Sequence, residues 1–206
     1  MKKFRRSVHR HMRVYRYVFY RETLVDFREH FWSFIGAFIG IGLIALLQSY
    51  QLPATENIFL IGSFGASAVL VYGAIQSPLA QPRNLVGGHV VSAIVGVTVG
   101  KLLPDVIWLT APTAVAFSIV AMQITRSLHP PGGATALIAV SGGQQITQLG
   151  YLYVLTPVFS GALILLLVAL LFNNITKKRH YPVKMSRLRR SRRRQLQNRF
   201  KLNRPK

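Results

Sequence analysis

Apolar residues in this chain fall into long runs, which short polar or glycine- and proline-rich breaks separate. A run of about 20 apolar residues is as long as a helix that crosses the hydrocarbon core of a bilayer. Two further runs contain small or helix-breaking residues, and we expect shorter, broken helices there. The predicted full spans are 31–50, 85–103, 106–125 and 151–172, and the predicted broken helices are 65–75, within the run 58–75, and 131–142.

The distribution of charge indicates a membrane domain with basic ends. The 206 residues carry a formal net charge of +21, yet Arg83, Lys101 and Arg126 are the only Lys or Arg residues in the long apolar middle. A soluble domain this basic would be a candidate for nucleic-acid binding, but the segregation of charge argues against that class. We predict a basic cytoplasmic or interfacial segment (1–29), a transmembrane domain (30–176) and a basic cytoplasmic tail (177–206).

The basic ends also predict the topology. The positive-inside rule places both ends in the cytoplasm, which requires an even number of crossings. Counting the short segment 131–142 gives six, with Arg83 and Arg126 on the cytoplasmic side and Lys101 outside. The predicted fold is therefore all-α, a polytopic membrane helix bundle in the inner (plasma) membrane of a bacterium. Anionic lipid is the expected partner of the tails, with no nucleic acid.

The two broken helices align with each other at an offset of 68 residues. The string GASAVLVYGA (65–74) matches GATALIAVSG (133–142), and the same offset places HVVSAIVG (89–96) on PVFSGALI (157–164). Three crossings per unit would invert the second unit relative to the first, and inverted repeats with broken helices place substrate sites near the midplane. Small apolar residues also align by chance, so the repeat is a hypothesis.

The breaks themselves suggest a binding site for an anion. Proline suits the first position of a helix, so Pro131 predicts a helix start that leaves the following backbone N–H groups uncovered. In the other half, Ser63 would cap a helix whose first backbone N–H groups are likewise uncovered. Uncovered N–H groups and the positive end of a helix dipole bind anions without a formal charge. The predicted cradle consists of Phe64, Gly65, Ala66, Gly132, Gly133 and Ala134.

Each candidate also has a structural interpretation. Glycine-rich helices pack closely whether or not they bind a ligand. His129 is either a proton carrier or ligand contact, or a group that satisfies a local carbonyl, whereas we favour packing or an interface for His89. Arg126 either attracts anions or anchors a helix end, and we favour a cytoplasmic loop charge for Arg83.

Signatures of catalysis are missing from the sequence. None of the five acidic residues lies inside an apolar run, so no carboxylate pair is available for acid–base chemistry. There is no cysteine, which excludes disulfides and thiolate metal sites. We therefore expect no enzyme, no cofactor and no metal. Without an intramembrane carboxylate to hold a driving ion, a channel and a coupled carrier remain equally open.

Four strings resemble the HPP family of integral membrane proteins: SFGASAVLVYG (63–73), SPLAQPRNLVGGH (77–89), MQITRSLHPPGGATAL (122–137) and RHYP (179–182). The resemblance implies a bundle of membrane helices, and it implies nitrite transport because chloroplast and cyanobacterial members are associated with that activity. The motif positions that it carries over are Phe64, Gly65, Ala66, Ser67, Pro82, Arg83, Asn84, Arg126, His129, Pro130, Pro131, Gly132, Gly133 and Thr135.

Together these observations predict a transporter or channel for a small inorganic anion, nitrite or nitrate first, bound at helix N-termini near the midplane. Arg83, Asn84 and His89 would lie along its pathway. The alternative is a non-transporting sensor or scaffold that acts through its basic tails. A bundle of short helices also predicts a homo-oligomer, through the Gly36 and Gly40 face or another face of small residues.

Overall fold

The computed structural model describes residues 27–51, 62–176 and 179–183, with only the backbone for 48–51. Predictions about residues 1–26, the break after α1 and the tail beyond 183 lie outside the described residues. Within them all regular structure is helical. The seven α-helices are α1 (Phe27–Gln51), α2 (Gly62–Ala68), α3 (Pro82–Leu102), α4 (Ile107–Ile124), α5 (Pro130–Ser141), α6 (Gly143–Leu149) and α7 (Ser160–Phe172).

Three short segments extend or connect these helices. A π-helical turn, Val69–Gly73, continues α2, and another, Val154–Phe159, precedes α7. A 3₁₀ turn, Pro78–Ala80, leads into α3. Thr156 has non-helical angles (φ −137°, ψ 117°), because a residue before proline is sterically disfavoured in the α region. The predicted continuous span 151–172 is therefore broken near Pro157.

Four helices of the described residues are long and apolar enough to cross a membrane, namely Phe27–Leu47, Pro82–Leu102, Ile107–Ile124 and Val154–Phe172. The prediction of an all-α membrane protein is thereby confirmed. Helix α5 has only 12 residues, or about 18 Å at 1.5 Å per residue, less than the hydrocarbon thickness. The apolar helix Gly62–Gly73 is equally short. The six-crossing inverted repeat therefore stays a hypothesis.

Several predicted boundaries shift by a few residues. Helix α3 begins at Pro82 rather than at residue 85, because proline fits the first helical position, where its missing N–H is no loss. Helix α1 already includes Phe27, the first residue that the structure describes, four residues before the predicted start at 31. Helix α6 was not predicted, because its sequence GQQITQL is polar and only seven residues long.

Helix α3 lies at the centre of the bundle and packs against α4 and α5, while α1 packs against α7. The Gly36 and Gly40 face of α1 packs against another part of the same chain. A Cβ on Gly36 would lie 2.8 Å from the Tyr72 ring, and one on Gly40 would meet the Tyr72 hydroxyl. These glycines therefore make room for Tyr72, whose hydroxyl donates to the Leu165 carbonyl at 3.0 Å. Tyr72 therefore occupies this face within the chain, and the predicted homo-oligomer stays a prediction.

Candidate functional site: a buried histidine and hydroxyl cluster

Five polar side chains meet in the interior of the bundle, where each is 0% exposed. We call Ser63, Ser67, His89, His129 and Thr135 the polar cluster. Helix α2 supplies the two serines, α3 supplies His89, the N-cap of α5 is His129, and the middle of α5 supplies Thr135. Ionisable groups inside a membrane domain are costly and are functional-site candidates by default.

Ser67 and Thr135 hold the two sides of the His89 ring. Ser67 Oγ lies 2.7 Å from His89 Nε2, and Thr135 Oγ1 lies 2.7 Å from His89 Nδ1. Ser67 Oγ is also 2.9 Å from His129 Nε2, so one hydroxyl bridges both imidazoles. Thr135 Oγ1 lies 3.0 Å from Ser63 Oγ. The five side chains thus form one continuous hydrogen-bonded network.

The polar cluster lies near the middle of the longest buried span. Helix α3 has 21 residues, Pro82–Leu102, so Ser92 is its midpoint and His89 is about 4.5 Å away along the axis. Ser92 is fully buried, and its hydroxyl has no hydrogen-bond partner. Because residues three apart share a helix face, this open hydroxyl faces the same side of α3 as His89. From sequence, Ser92 was named only within the string HVVSAIVG (89–96) of the repeat and was not predicted as a site residue.

A pair of glycines on α3 creates the space for His129. A Cβ on Gly88 would collide with the His129 side chain and lie 2.8 Å from the Ser127 carbonyl oxygen. A Cβ on Gly87 would be 3.0 Å from Ser127 Cβ. The string GGH therefore provides close approach through its glycines and hydrogen bonds through His89. The preference for packing at His89 captured its burial but missed its central place in the network.

Helices α2 and α5 do not point their N-termini at each other as predicted. Ser63, near the start of α2, contacts Thr135 in the middle of α5, whereas Ser67 contacts His129, which precedes α5. The two helices therefore lie side by side and run in opposite directions. Hydroxyl and imidazole groups, rather than backbone N–H groups, fill the place where they meet.

The starts of α2 and α5 also differ from the predicted cradle of free backbone N–H groups. Helix α5 begins at Pro130 with His129 as N-cap, and the Gly132 N–H already donates to the His129 carbonyl at 2.8 Å. Gly65 and Ala66 lie inside α2 and are exposed. Pro130 is exposed, Pro131 is buried and Ala134 is partly buried within the first turns of α5.

Phe64 and Gly132 close the walls around the polar cluster. The Phe64 ring is fully buried, contacts the His89 ring edge-on at 5.4 Å, and lies over Gly161 of α7. A Cβ on Gly132 would lie 2.7 Å from Ser92 Oγ and 2.9 Å from the Gly88 carbonyl oxygen. At Gly133 the nearest atom would be 3.9 Å away. Helix α3 thus approaches α5 closely at Gly132, whereas a side chain at Gly133 would make only an ordinary contact.

The two arginines of the predicted pathway are exposed and hold the turn before His129. Arg83 Nη2 donates to the Thr125 carbonyl at 2.6 Å, and Asn84 Nδ2 donates to the Leu128 carbonyl at 2.6 Å. Arg126 has φ 55°, and the N–H groups of Arg126 and Ser127 donate to the Gln123 and Met122 carbonyls. This is a Schellman motif that ends α4.

His129 is also fixed through its second nitrogen. His129 Nδ1 donates to the Leu79 carbonyl at 2.8 Å, so the polar cluster reaches the loop between α2 and α3. Two residues of that loop accept hydrogen bonds from the C-terminal segment. The Ala80 carbonyl accepts from the Tyr181 hydroxyl at 2.8 Å, and Gln81 Oε1 accepts from the Val183 N–H at 2.8 Å. Residues 179–183, which we call the C-terminal clamp, therefore pin the loop that holds His129.

Arg179 anchors the C-terminal clamp to the bundle. Its side chain is 1% exposed and forms an ion pair with Glu29 at 3.4 Å. Its guanidinium also donates to the Tyr72 carbonyl at 2.7 Å and to Asn173 Oδ1 at 2.9 Å. Burial lowers the pKa of Arg179, and the Glu29 carboxylate opposes that shift. One side chain thus joins α1, the end of α2 and the end of α7.

A cavity of about 220 Å³ opens elsewhere on the bundle, and its lining includes Val97, Lys101, Asp105, Thr110 and Thr147. It shares no residue with the polar cluster. Val97 is eight residues from His89 along α3, or about 12 Å. The described conformation is therefore closed around the polar cluster. The part of the chain that the structure describes holds no group of three or more His, Cys, Asp or Glu residues suited to a metal ion.

Comparison with known proteins agrees with this fold. The family model for the HPP transmembrane region matches residues 22–182. Two transmembrane proteins of Dictyostelium discoideum are 50% identical over 164 residues and 45% identical over 166 residues, covering 77% and 79% of this chain. The chain spans 51% and 58% of their lengths. No solved structure matches. The chain belongs to the HPP family of transmembrane proteins.

Proposed function

We propose that this chain is a membrane transporter or channel for a small inorganic anion, and that it is not an enzyme. The observation that carries the proposal is the polar cluster, a set of hydrogen-bonding side chains buried near the middle of a membrane span. A structural bundle has no need of two imidazoles there, since burying polar groups costs free energy unless every partner is present.

The chemistry of the polar cluster suits a small anion. Hydroxyl and imidazole N–H groups donate hydrogen bonds, and the open Ser92 hydroxyl provides one donor that no protein group uses. On the side of the bundle where α3 begins and α4 ends, Arg83 and Arg126 are exposed and would attract an anion. At the other end, Lys101 lines the 220 Å³ cavity. Nitrite is the first candidate through the family resemblance, and nitrate the second.

The proposed site differs from a cradle of backbone N–H groups alone. It comprises Ser67, His89, His129 and Thr135, with Ser92 as the open contact and Phe64 as a wall. Because these side chains are fully buried, the described conformation is the closed one, and passage requires α2 or α5 to move. We also propose that the two short helices are the related elements of an inverted repeat, since Ser67 and Thr135 align at the 68-residue offset and bracket one histidine.

Flux in proteoliposomes tests the proposal. We would measure uptake of nitrite, nitrate, formate and chloride, with wild type against Ser67→Ala, which removes the bridging hydroxyl without adding volume. The matched control is Ser141→Ala, an exposed serine on α5 whose hydroxyl bonds only the Leu137 carbonyl. We expect uptake of one anion above protein-free vesicles and about a tenfold loss in Ser67→Ala, as for one hydrogen bond of about 1.4 kcal/mol.

The result that would overturn the proposal is equally clear. If a folded wild-type protein carries none of these anions, the sensor or scaffold function through the basic tails becomes the better account. If one anion crosses and Ser67→Ala carries it as fast as wild type, the anion does not pass through the polar cluster.

A further inference from the structure

The hydrogen bonds of the polar cluster have a direction, which the Leu79 carbonyl sets. A carbonyl oxygen only accepts, so His129 Nδ1 carries the proton of that 2.8 Å bond. A neutral His129 then accepts at Nε2, and Ser67, 2.9 Å away, must donate to it. Ser67 has a single proton, so His89 Nε2 donates to Ser67 Oγ, and Thr135 donates to His89 Nδ1.

The neutral cluster therefore has one consistent assignment, with the two histidines in opposite tautomers. His129 is protonated at Nδ1 and His89 at Nε2. Every bond along the path from Thr135 to Leu79 is satisfied without a charge. The free ring nitrogens, His129 Nε2 and His89 Nδ1, both face a hydroxyl that is able to reverse its role, since a hydroxyl both donates and accepts.

Each of those hydroxyls has a second acceptor ready. Ser67 Oγ lies 3.0 Å from the Ser63 carbonyl oxygen, four residues back on the same helix. Thr135 Oγ1 lies 3.0 Å from Ser63 Oγ and 3.3 Å from the Pro131 carbonyl oxygen. If His129 binds a proton at Nε2, Ser67 accepts from both rings and turns its own proton to Ser63. Thr135 offers the same exchange to His89.

We propose, resting on the proposed anion transport, that the polar cluster binds one proton that crosses together with the anion. The proton arrives from water on one side, forms an N–H bond on an imidazole, and leaves to water on the other side. No other bond forms or breaks, and one anion with one proton moves no net charge. His129 is the holder of the proton, because its Nδ1–H donates to the Leu79 carbonyl at 2.8 Å and such a bond favours the charged ring.

The surroundings limit the polar cluster to a single proton. The two rings face each other with centroids 5.0 Å apart, so two imidazolium charges would repel at close range in a medium of low dielectric. The other titratable groups nearby are phenols: Tyr153 donates to the Thr135 carbonyl and Tyr72 to the Leu165 carbonyl. Among the described residues no charged side chain bonds either ring. The anion itself is then the counter-charge of the bound proton.

The driving force for uptake tests this proposal. Proteoliposomes receive an inward pH gradient or, separately, a membrane potential from potassium and valinomycin, and initial nitrite and nitrate uptake is read with protein-free vesicles subtracted. We expect uptake to rise about tenfold for one pH unit of gradient when proton binding limits the rate, and to ignore the potential. His129→Gln, which keeps a polar side chain but no titration, should lose the gradient dependence, and exposed His180→Gln should keep it.

The outcomes separate the two proposals. Uptake that follows the membrane potential and ignores the pH gradient overturns proton coupling and leaves anion transport standing. No uptake of any anion by a folded protein overturns both. A second measurement needs no transport: ¹⁵N spectra of the wild-type histidines should show His129 protonated at Nδ1 and His89 at Nε2. The opposite tautomers would overturn the hydrogen-bond assignment.

Discussion

At the scale of single residues, the two neighbouring glycines of α5 have different tasks. Gly132 faces α3 and α4, where Ser92 Oγ, the Gly88 carbonyl and Met122 Sδ would all lie within 2.9 Å of an added Cβ. Gly133 faces Val115 at 3.9 Å, an ordinary contact. The string PPGGAT does not distinguish them, because which side of the helix faces a neighbour depends on packing.

A pair of matched substitutions checks this difference. We expect Gly132→Ala to destabilise the bundle by about 1–3 kcal/mol through overpacking and to reduce anion uptake. Gly133→Ala should stay close to wild type in both respects. Thermal unfolding in detergent and proteoliposome flux provide the measurements, and equal effects of the two alanines would contradict the placement of α5 against α3.

Arg126 occupies a backbone conformation that costs free energy for any residue other than glycine. Its φ of 55° is left-handed, and an L-residue loses roughly 1–2 kcal/mol there. We expect Arg126→Gly to raise the free energy of unfolding by about 1 kcal/mol while slowing uptake of the anion, because the exposed charge is lost. An Arg126→Gly protein that is less stable than wild type would count against the Schellman geometry.

At the scale of elements, the C-terminal clamp is the device that joins helices distant in sequence. The bonds of Arg179 to Glu29, Tyr72 and Asn173 connect three helices through one guanidinium. Glu29 belonged to the predicted interfacial segment, yet it lies within α1. The charged string RHYP was recognisable as a motif, but Glu29 and Tyr72 lie more than 100 residues from Arg179, beyond what any local pattern indicates.

Replacing the guanidinium tests the clamp. We expect Arg179→Lys to destabilise the protein by about 3 kcal/mol, because an ammonium group cannot make the same set of forked bonds and leaves buried partners unpaired. Arg28→Lys, an exposed change on α1, should have almost no effect. Unfolding monitored by temperature in detergent distinguishes them, and a stable Arg179→Lys protein would show that the contacts of Arg179 are dispensable.

At the scale of the whole molecule, the sequence predicted the class and the main spans, and it missed how the elements meet. Runs of apolar residues gave the four long helices because length and hydropathy are local properties. The polar cluster joins Ser67 to His129 and His89 to Thr135, 62 and 46 residues apart. Its central member His89 was predicted for packing or an interface and along the pathway, but not for the site, since one histidine in an apolar helix carries no sign of its partners.

The topology of the bundle is a further prediction. The chain has no cysteine, so single cysteines report position without background. We expect Arg83→Cys and Lys101→Cys, both exposed and at opposite ends of α3, to react with a membrane-impermeant maleimide from opposite sides. Arg83 should face the cytoplasm. Labelling of both positions from the same side would mean that α3 does not cross the membrane.

Removal of the basic tail separates transport from a scaffold. A chain that ends at residue 183 keeps the C-terminal clamp and loses the basic residues that follow it. We expect its anion uptake in proteoliposomes to match wild type within about twofold. A tail-less protein that inserts and folds but carries no anion would give the tail a direct part in transport.

The position of the C-terminal clamp bears on the order in which the protein is completed during synthesis. The Tyr72 and Ala80 carbonyls bond Arg179 and Tyr181, which leave the ribosome roughly 100 residues later, and chains are made at about 5–20 residues per second. For several seconds the Ala80 carbonyl in the loop before α3 therefore lacks the Tyr181 hydroxyl, and the Tyr72 carbonyl has the Ser33 hydroxyl but not Arg179. A nascent chain stalled before residue 179 would already contain the residues of all seven helices described here. The loop that bonds His129 would still lack its hydrogen bonds to the C-terminal clamp.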